Sequence, residues 1–146
     1  LVAGAAYAGR DYGKTHKPEE WYEVVKDYLK EGKPVAVVFA RPETQCPFKE
    51  QWNEEVRRRL SRHILMVRVK GFEDVRKLPQ KTQKAIGNRL QGSTIMIFNA
   101  DLDKIVFKVG YERDEDKLED HVRAAKDKVD ELEEILEERR WARDDD

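Results

Sequence analysis

The sequence contains one cysteine, Cys46, and three histidines that lie far apart among its 146 residues. A single cysteine cannot close a disulfide within the chain, and the histidines lack the spacing of a zinc-binding motif. We therefore predict neither a structural disulfide nor a metal cofactor.

Long apolar runs and an excess of one charge are also absent. No stretch reaches the roughly 20 consecutive apolar residues that a transmembrane helix needs, so we expect no membrane span. Lys plus Arg number 29 and Asp plus Glu number 30, so the overall charge gives no reason to expect nucleic acid or an anionic membrane as a partner. Partners must be inferred from local features.

The residues that are present fit one domain, because 39% are hydrophobic and the length allows a single core. We predict an N-terminal arm at residues 1–17, a folded domain at 18–128, and a projecting helix end with an acidic tail at 129–146. The small apolar residues at 1–8 fit the end of a signal peptide, which would indicate a periplasmic or secreted protein. They also fit an irregular arm of a cytoplasmic protein.

The spacing of apolar residues predicts the order of helices and strands. That order is a helix from Pro18, a strand at 35–40, a helix from Pro47, a strand at 64–69, a short broken helix within 75–90, a hairpin of strands 94–98 and 104–109, and a helix at 114–141. A strand–helix–strand unit requires parallel pairing, and a hairpin adds antiparallel strands. We therefore predict an α/β protein with a central mixed four-stranded sheet, flanking helices and an extended C-terminal helix.

The last predicted helix carries an apolar seam with a seven-residue repeat, formed by Leu118, Val122, Ala125, Val129, Leu132 and Leu136. At 1.5 Å per residue this helix would be roughly 40 Å long, which exceeds what a small domain covers. We expect its second half, from Val129 to Trp141, to project from the domain. There it would either pair with a second copy as a homodimer or remain solvated through its many Glu–Arg and Glu–Lys pairs.

Cys46 follows the apolar run Val35–Ala40 and directly precedes Pro47, a residue well suited to the first turn of a helix. The unpaired N–H groups of a helix start stabilise a thiolate, and Lys49 would add a positive charge one turn further on. Cys46 is therefore our candidate nucleophile and Lys49 the candidate stabiliser of its thiolate. The competing interpretation makes Cys46 a small buried apolar residue.

Four short motifs together resemble the thioredoxin-like superfamily over roughly residues 18–125: Gly32-Lys33-Pro34 before the first strand, Cys46-Pro47-Phe48-Lys49, Gly92-Ser93-Thr94, and Gly110-Tyr111. This resemblance implies a thioredoxin-like fold, thiol–disulfide chemistry at Cys46, and substrate contacts from Pro47, Phe48, Ser93 and Thr94. The implied partner is a protein client or a low-molecular-weight thiol, with glutathione as a thiol co-substrate.

The chain departs from this family at three positions. Lys49 replaces the second, resolving cysteine, Thr94 stands at the family's cis-proline, and Val38 stands at its buried acid. We expect a trans bond before Thr94, since a cis bond without proline costs about 3 kcal/mol. The sequence is consistent with a monothiol oxidoreductase. It is equally consistent with a redox-inactive binding module that uses the peptide-facing groove, the Arg57–Arg62 patch or the last helix.

Overall fold

The computed structural model describes residues 15–40, 47–88 and 92–144. Within these ranges the chain is an α/β protein whose five strands form one mixed sheet. The strands are β1 (Thr15–His16), β2 (Val35–Phe39), β3 (Leu65–Val69), β4 (Thr94–Phe98) and β5 (Ile105–Gly110). The helices are α1 (Trp21–Lys30), α2, α3 (Phe72–Val75), α4 (Gln80–Ile86) and α5 (Glu115–Asp144). Helix α2 joins three consecutive segments, Pro47–Gln51, a π-helix at Trp52–Val56, and Arg57–Leu60.

The strand order across the sheet is β1-β3-β2-β4-β5. Strand β2 lies at the centre, where it pairs parallel to β3 and antiparallel to β4. Strand β1 pairs parallel to β3 at one edge, and β5 pairs antiparallel to β4 at the other. The predicted parallel unit and hairpin are therefore both present.

The predicted strand number was wrong, because the sheet has five strands and not four. The additional strand β1 lies in the segment that we predicted as an N-terminal arm, where Thr15 and His16 pair with Met66 and Val67. Two residues are too few to show the alternating pattern by which a strand is recognised in a sequence. The strand exists because β3 offers an edge with which it can pair.

Helices cover both faces of the sheet, which explains why all five residues of β2 are buried. On one face Ala36 and Val38 pack in a core with apolar side chains of α2 and α5. On the other face Val37 and Phe39 pack with side chains of α1, α3 and α4. Alternate residues of each strand therefore belong to different cores.

The C-terminal helix does not project from residue 129 as predicted. Val129 and Leu132 are only 0% and 4% exposed and belong to the same core as the sheet, and Leu136 is also buried. The prediction failed because it considered the sheet alone, whereas α5 also contacts α1 and the C-terminal part of α2. Residues 137–142 are the first unbroken run of exposed residues at the end of this helix.

Candidate functional site

The predicted site lies where β2 ends and α2 begins. Strand β2 ends at Phe39, and the next residue donates a backbone hydrogen bond from Ala40 N to Val69 O at 3.1 Å. The chain is described again from Pro47, the first residue of α2. Cys46, the candidate nucleophile, lies outside the described residues and directly precedes this helix in the sequence.

Three further predicted site residues form the first turn of α2. Pro47 and Phe48 are described through their backbone, which is helical from Pro47 onward. Lys49 is exposed and forms no ion pair with a described residue. Its ammonium group therefore faces water in the helix turn where the resemblance implies a resolving cysteine.

Thr94, the predicted counterpart of the cis-proline, begins β4 and pairs with Phe39 in the antiparallel register. The pairing of β2 with β4 thus places Ser93 and Thr94 beside the C-terminal end of β2. No described peptide bond is cis, so the bond before Thr94 is trans as expected. Thr94 is 7% exposed, and its Oγ1 has no hydrogen-bond partner in the described structure. Alternation along β4 places this side chain on the face of Met96, opposite the face that α2 covers.

Val38 is 1% exposed and packs in the core under α2. Its partner in the parallel register is Arg68 of β3, so the two side chains leave the sheet on the same face. The Nε atom of Arg68 is buried and has no hydrogen-bond partner among described residues. Sequence reasoning missed Arg68, because a single polar residue near the end of an apolar strand carries no recognisable motif.

A groove of about 340 Å³ runs beside the first half of α2, and sequence analysis did not predict it. Its lining includes six glutamates, Glu50, Glu54, Glu55, Glu112, Glu115 and Glu119, together with Arg113 and the exposed Tyr111. Gln51 ties its two walls together, since its amide donates to Glu112 O and accepts from Glu112 N at 3.4 Å. The groove is therefore acidic, and hydrogen bonds join its two walls.

In the described ranges no group of three or more His, Cys, Asp or Glu could hold a metal ion, and no helix has the length and apolarity to cross a membrane. His63 lies in the turn before β3, with Nδ1 3.9 Å from Glu133 Oε1. Partial burial, followed by the charge of Lys126, lowers the pKa of His63.

The fold defines an α/β protein with a mixed five-stranded sheet and a long C-terminal helix. No family model, curated protein or solved structure matches this chain.

Proposed function

We propose that the protein is a thioredoxin-like monothiol protein, in which Cys46 forms mixed disulfides with a client protein or with a small thiol such as glutathione. The observation that carries this proposal is the start of α2 at Pro47, one residue after Cys46. The parallel β2–β3 pair, linked through α2 and followed by the antiparallel β4–β5 hairpin, also agrees with the fold that the resemblance implies.

The helix start supplies the chemical reason for a reactive thiol. Helical backbone runs without interruption from Pro47 to Leu60, and its first N–H groups lack partners within the helix. These groups and the helix dipole favour a thiolate over a thiol. Lys49 contributes less, because water screens an exposed ammonium group.

The proposed reaction is thiol–disulfide exchange. The Cys46 thiolate attacks one sulfur of a client disulfide, the client S–S bond breaks, and the other client sulfur leaves as a thiolate. A mixed disulfide with Cys46 remains. The chain has no second cysteine, so an external thiol must attack this bond and release Cys46. Such a mixed disulfide is long-lived, which suits trapping or sensing.

A second candidate function is that of a redox-inactive binding module. Val38 favours it, because this side chain is fully packed among apolar groups at the position where the resemblance implies a proton-accepting acid. A module that no longer exchanges protons at this position can fill it with an apolar residue and gain core packing. The acidic groove beside α2 is then the surface for protein contact.

Alkylation of Cys46 across a pH range distinguishes the two functions. We expect the rate with iodoacetamide to follow a thiolate pKa below the ordinary value of about 8.5. The same thiol in denatured protein is the matched control and should titrate near 8.5. Lys49→Gln should move the folded value only slightly, since that charge is exposed. A folded value at or above the control, or no labelling of folded protein, would overturn the monothiol function and leave the binding module.

A further inference from the structure

A crevice of about 330 Å³ lies at the carboxyl ends of the two adjacent parallel strands β1 and β3. Lys17 directly follows β1, and Lys70 directly follows β3. Open α/β sheets commonly bind ligands outside the carboxyl ends of their strands. The position of this crevice is therefore one that the fold class uses for binding.

The crevice is lined by three cationic side chains, Lys17, Arg68 and Lys70. The register that pairs Thr15 with Met66 places Lys17 opposite Arg68 two residues further on, and the backbone at Lys17 is still extended. None of the three cations has an ion-pair partner within 4 Å among the described residues. Three like charges thus line one concave surface without a direct ion pair.

Arg68 gives the second indication of a missing ligand. Arg68 is half-buried, and its Nε atom is buried without a hydrogen-bond partner, whereas most buried donors in native proteins are paired. Because Nε itself is covered by protein, a ligand in the crevice would contact the accessible part of this side chain. His16 also lines the crevice: its ring packs edge-on against Tyr28, its Nδ1 lies 3.1 Å from Glu20 Oε2, and its Nε2 is likewise buried without a hydrogen-bond partner. The positive charge of the crevice comes from Arg68 and the two lysines.

The two carboxylates in the lining offset only part of this positive charge. Glu19 binds Lys77, which lies outside the crevice lining. Asp74 accepts a hydrogen bond from the backbone N–H of Lys70 at 2.9 Å, and its other oxygen lies 3.5 Å from Lys77 Nζ. Both carboxylates share Lys77, and since the lining holds three cations against two carboxylates the crevice retains net positive charge.

We propose that this crevice binds the phosphate group of a small phosphorylated molecule. A dianion with three accessible oxygens compensates several cations at once, and a guanidinium group matches phosphate oxygens through paired N–H donors. The volume lies at the lower end of the range for small-molecule pockets, so the crevice has room for more than the phosphate ion alone. None of the described lining residues carries a thiol, so the proposal does not rest on the thiol chemistry.

The test is an NMR titration of the Cys46→Ser protein at low salt, with inorganic phosphate in one arm and glycerol 3-phosphate in the other. We expect saturable shifts at the amides of Lys17 and Lys70 and at the Arg68 Nε–H. Tighter binding of glycerol 3-phosphate would identify a phosphorylated metabolite as the ligand class, and equal binding would identify the free ion. Acetate is the control anion and should bind at least about tenfold more weakly, since it carries a single charge.

Three variants test whether the phosphate compounds bind in this crevice. Arg68→Gln should weaken binding by about tenfold, and the double variant Lys17→Gln/Lys70→Gln should weaken it similarly while leaving the core untouched. Lys104→Gln changes an exposed lysine outside the crevice and should leave affinity unchanged. The proposal is overturned by the absence of saturable shifts in the parent protein, or by equal affinity in the double variant and the Lys104 control. If Arg68→Gln fails to fold, the double variant alone decides.

Discussion

Replacing Leu132 by alanine should destabilise the protein by about 3 kcal/mol. Leu132 is 4% exposed and lies in the core that α5 shares with the sheet and α2. The substitution removes apolar contacts and leaves a cavity that a long, well-anchored helix cannot collapse to fill. Arg139 limits such movement further, because Nη1 binds Asp101 Oδ1 at 2.7 Å and ties the helix to the β4–β5 turn.

Ile135 provides a matched control on the same helix. It is 41% exposed and belongs to neither core cluster, so Ile135→Ala should cost less than about 1 kcal/mol. Urea unfolding measures both changes, and with a slope of about 1.5 kcal/mol/M the Leu132 midpoint should fall by roughly 2 M without a change in slope. A loss for Leu132→Ala below about 0.5 kcal/mol, or equal losses for the two variants, would refute the packing of this half of α5.

Two further predictions concern the candidate site and the turn before β3. Lys49→Cys should create dithiol reductase activity, measured as insulin reduction by dithiothreitol. Lys49→Ser is its control, and activity no higher than that of Lys49→Ser would count against a thioredoxin-like site. For His63, burial and the charge of Lys126 lower the pKa from its ordinary 6.5, so the neutral ring is favoured in the folded protein. The stability linked to this shift is present above pH 6.5 and is lost as the pH falls through the folded value. His63→Gln should flatten the fall in urea stability below pH 6.5 and change little at pH 7.5, whereas an unchanged slope would contradict this linkage.

Much of the element order could be read from the sequence because the strands are buried on both faces. Val35–Phe39 and Thr94–Phe98 are continuous apolar runs, and such runs occur where helices cover a sheet on both sides. Of the short broken helix predicted within 75–90, the structure has α4 directly after Pro79, whereas α3 ends at Val75 and so lies almost wholly before that range. Strand β1 was not predictable, because its two residues form a strand only through pairing with β3.

The candidate site was predictable only in part. The helix start at Pro47 and the strand start at Thr94 follow from local sequence patterns, and the structure has both. The positions of Arg68 and Lys17 do not follow from such patterns, because they meet only through the register between β1 and β3. Charges that lie about 50 residues apart in the sequence form a crevice when two short strands align. The register between these two strands cannot be predicted from a single sequence.

The π-helical segment of α2 keeps the apolar stripe of this helix directed at the sheet. Trp52, Val56 and Leu60 repeat every four residues, and in a regular α-helix each such step turns the stripe by about 40° around the axis. All three are nevertheless buried in one core. A π turn uses more residues per turn, so the segment Trp52–Val56 reduces this drift and keeps the stripe on the sheet. In the turn that precedes this segment, Gln51 is hydrogen-bonded to the backbone of Glu112, which fixes the first turns of α2 to the chain before α5.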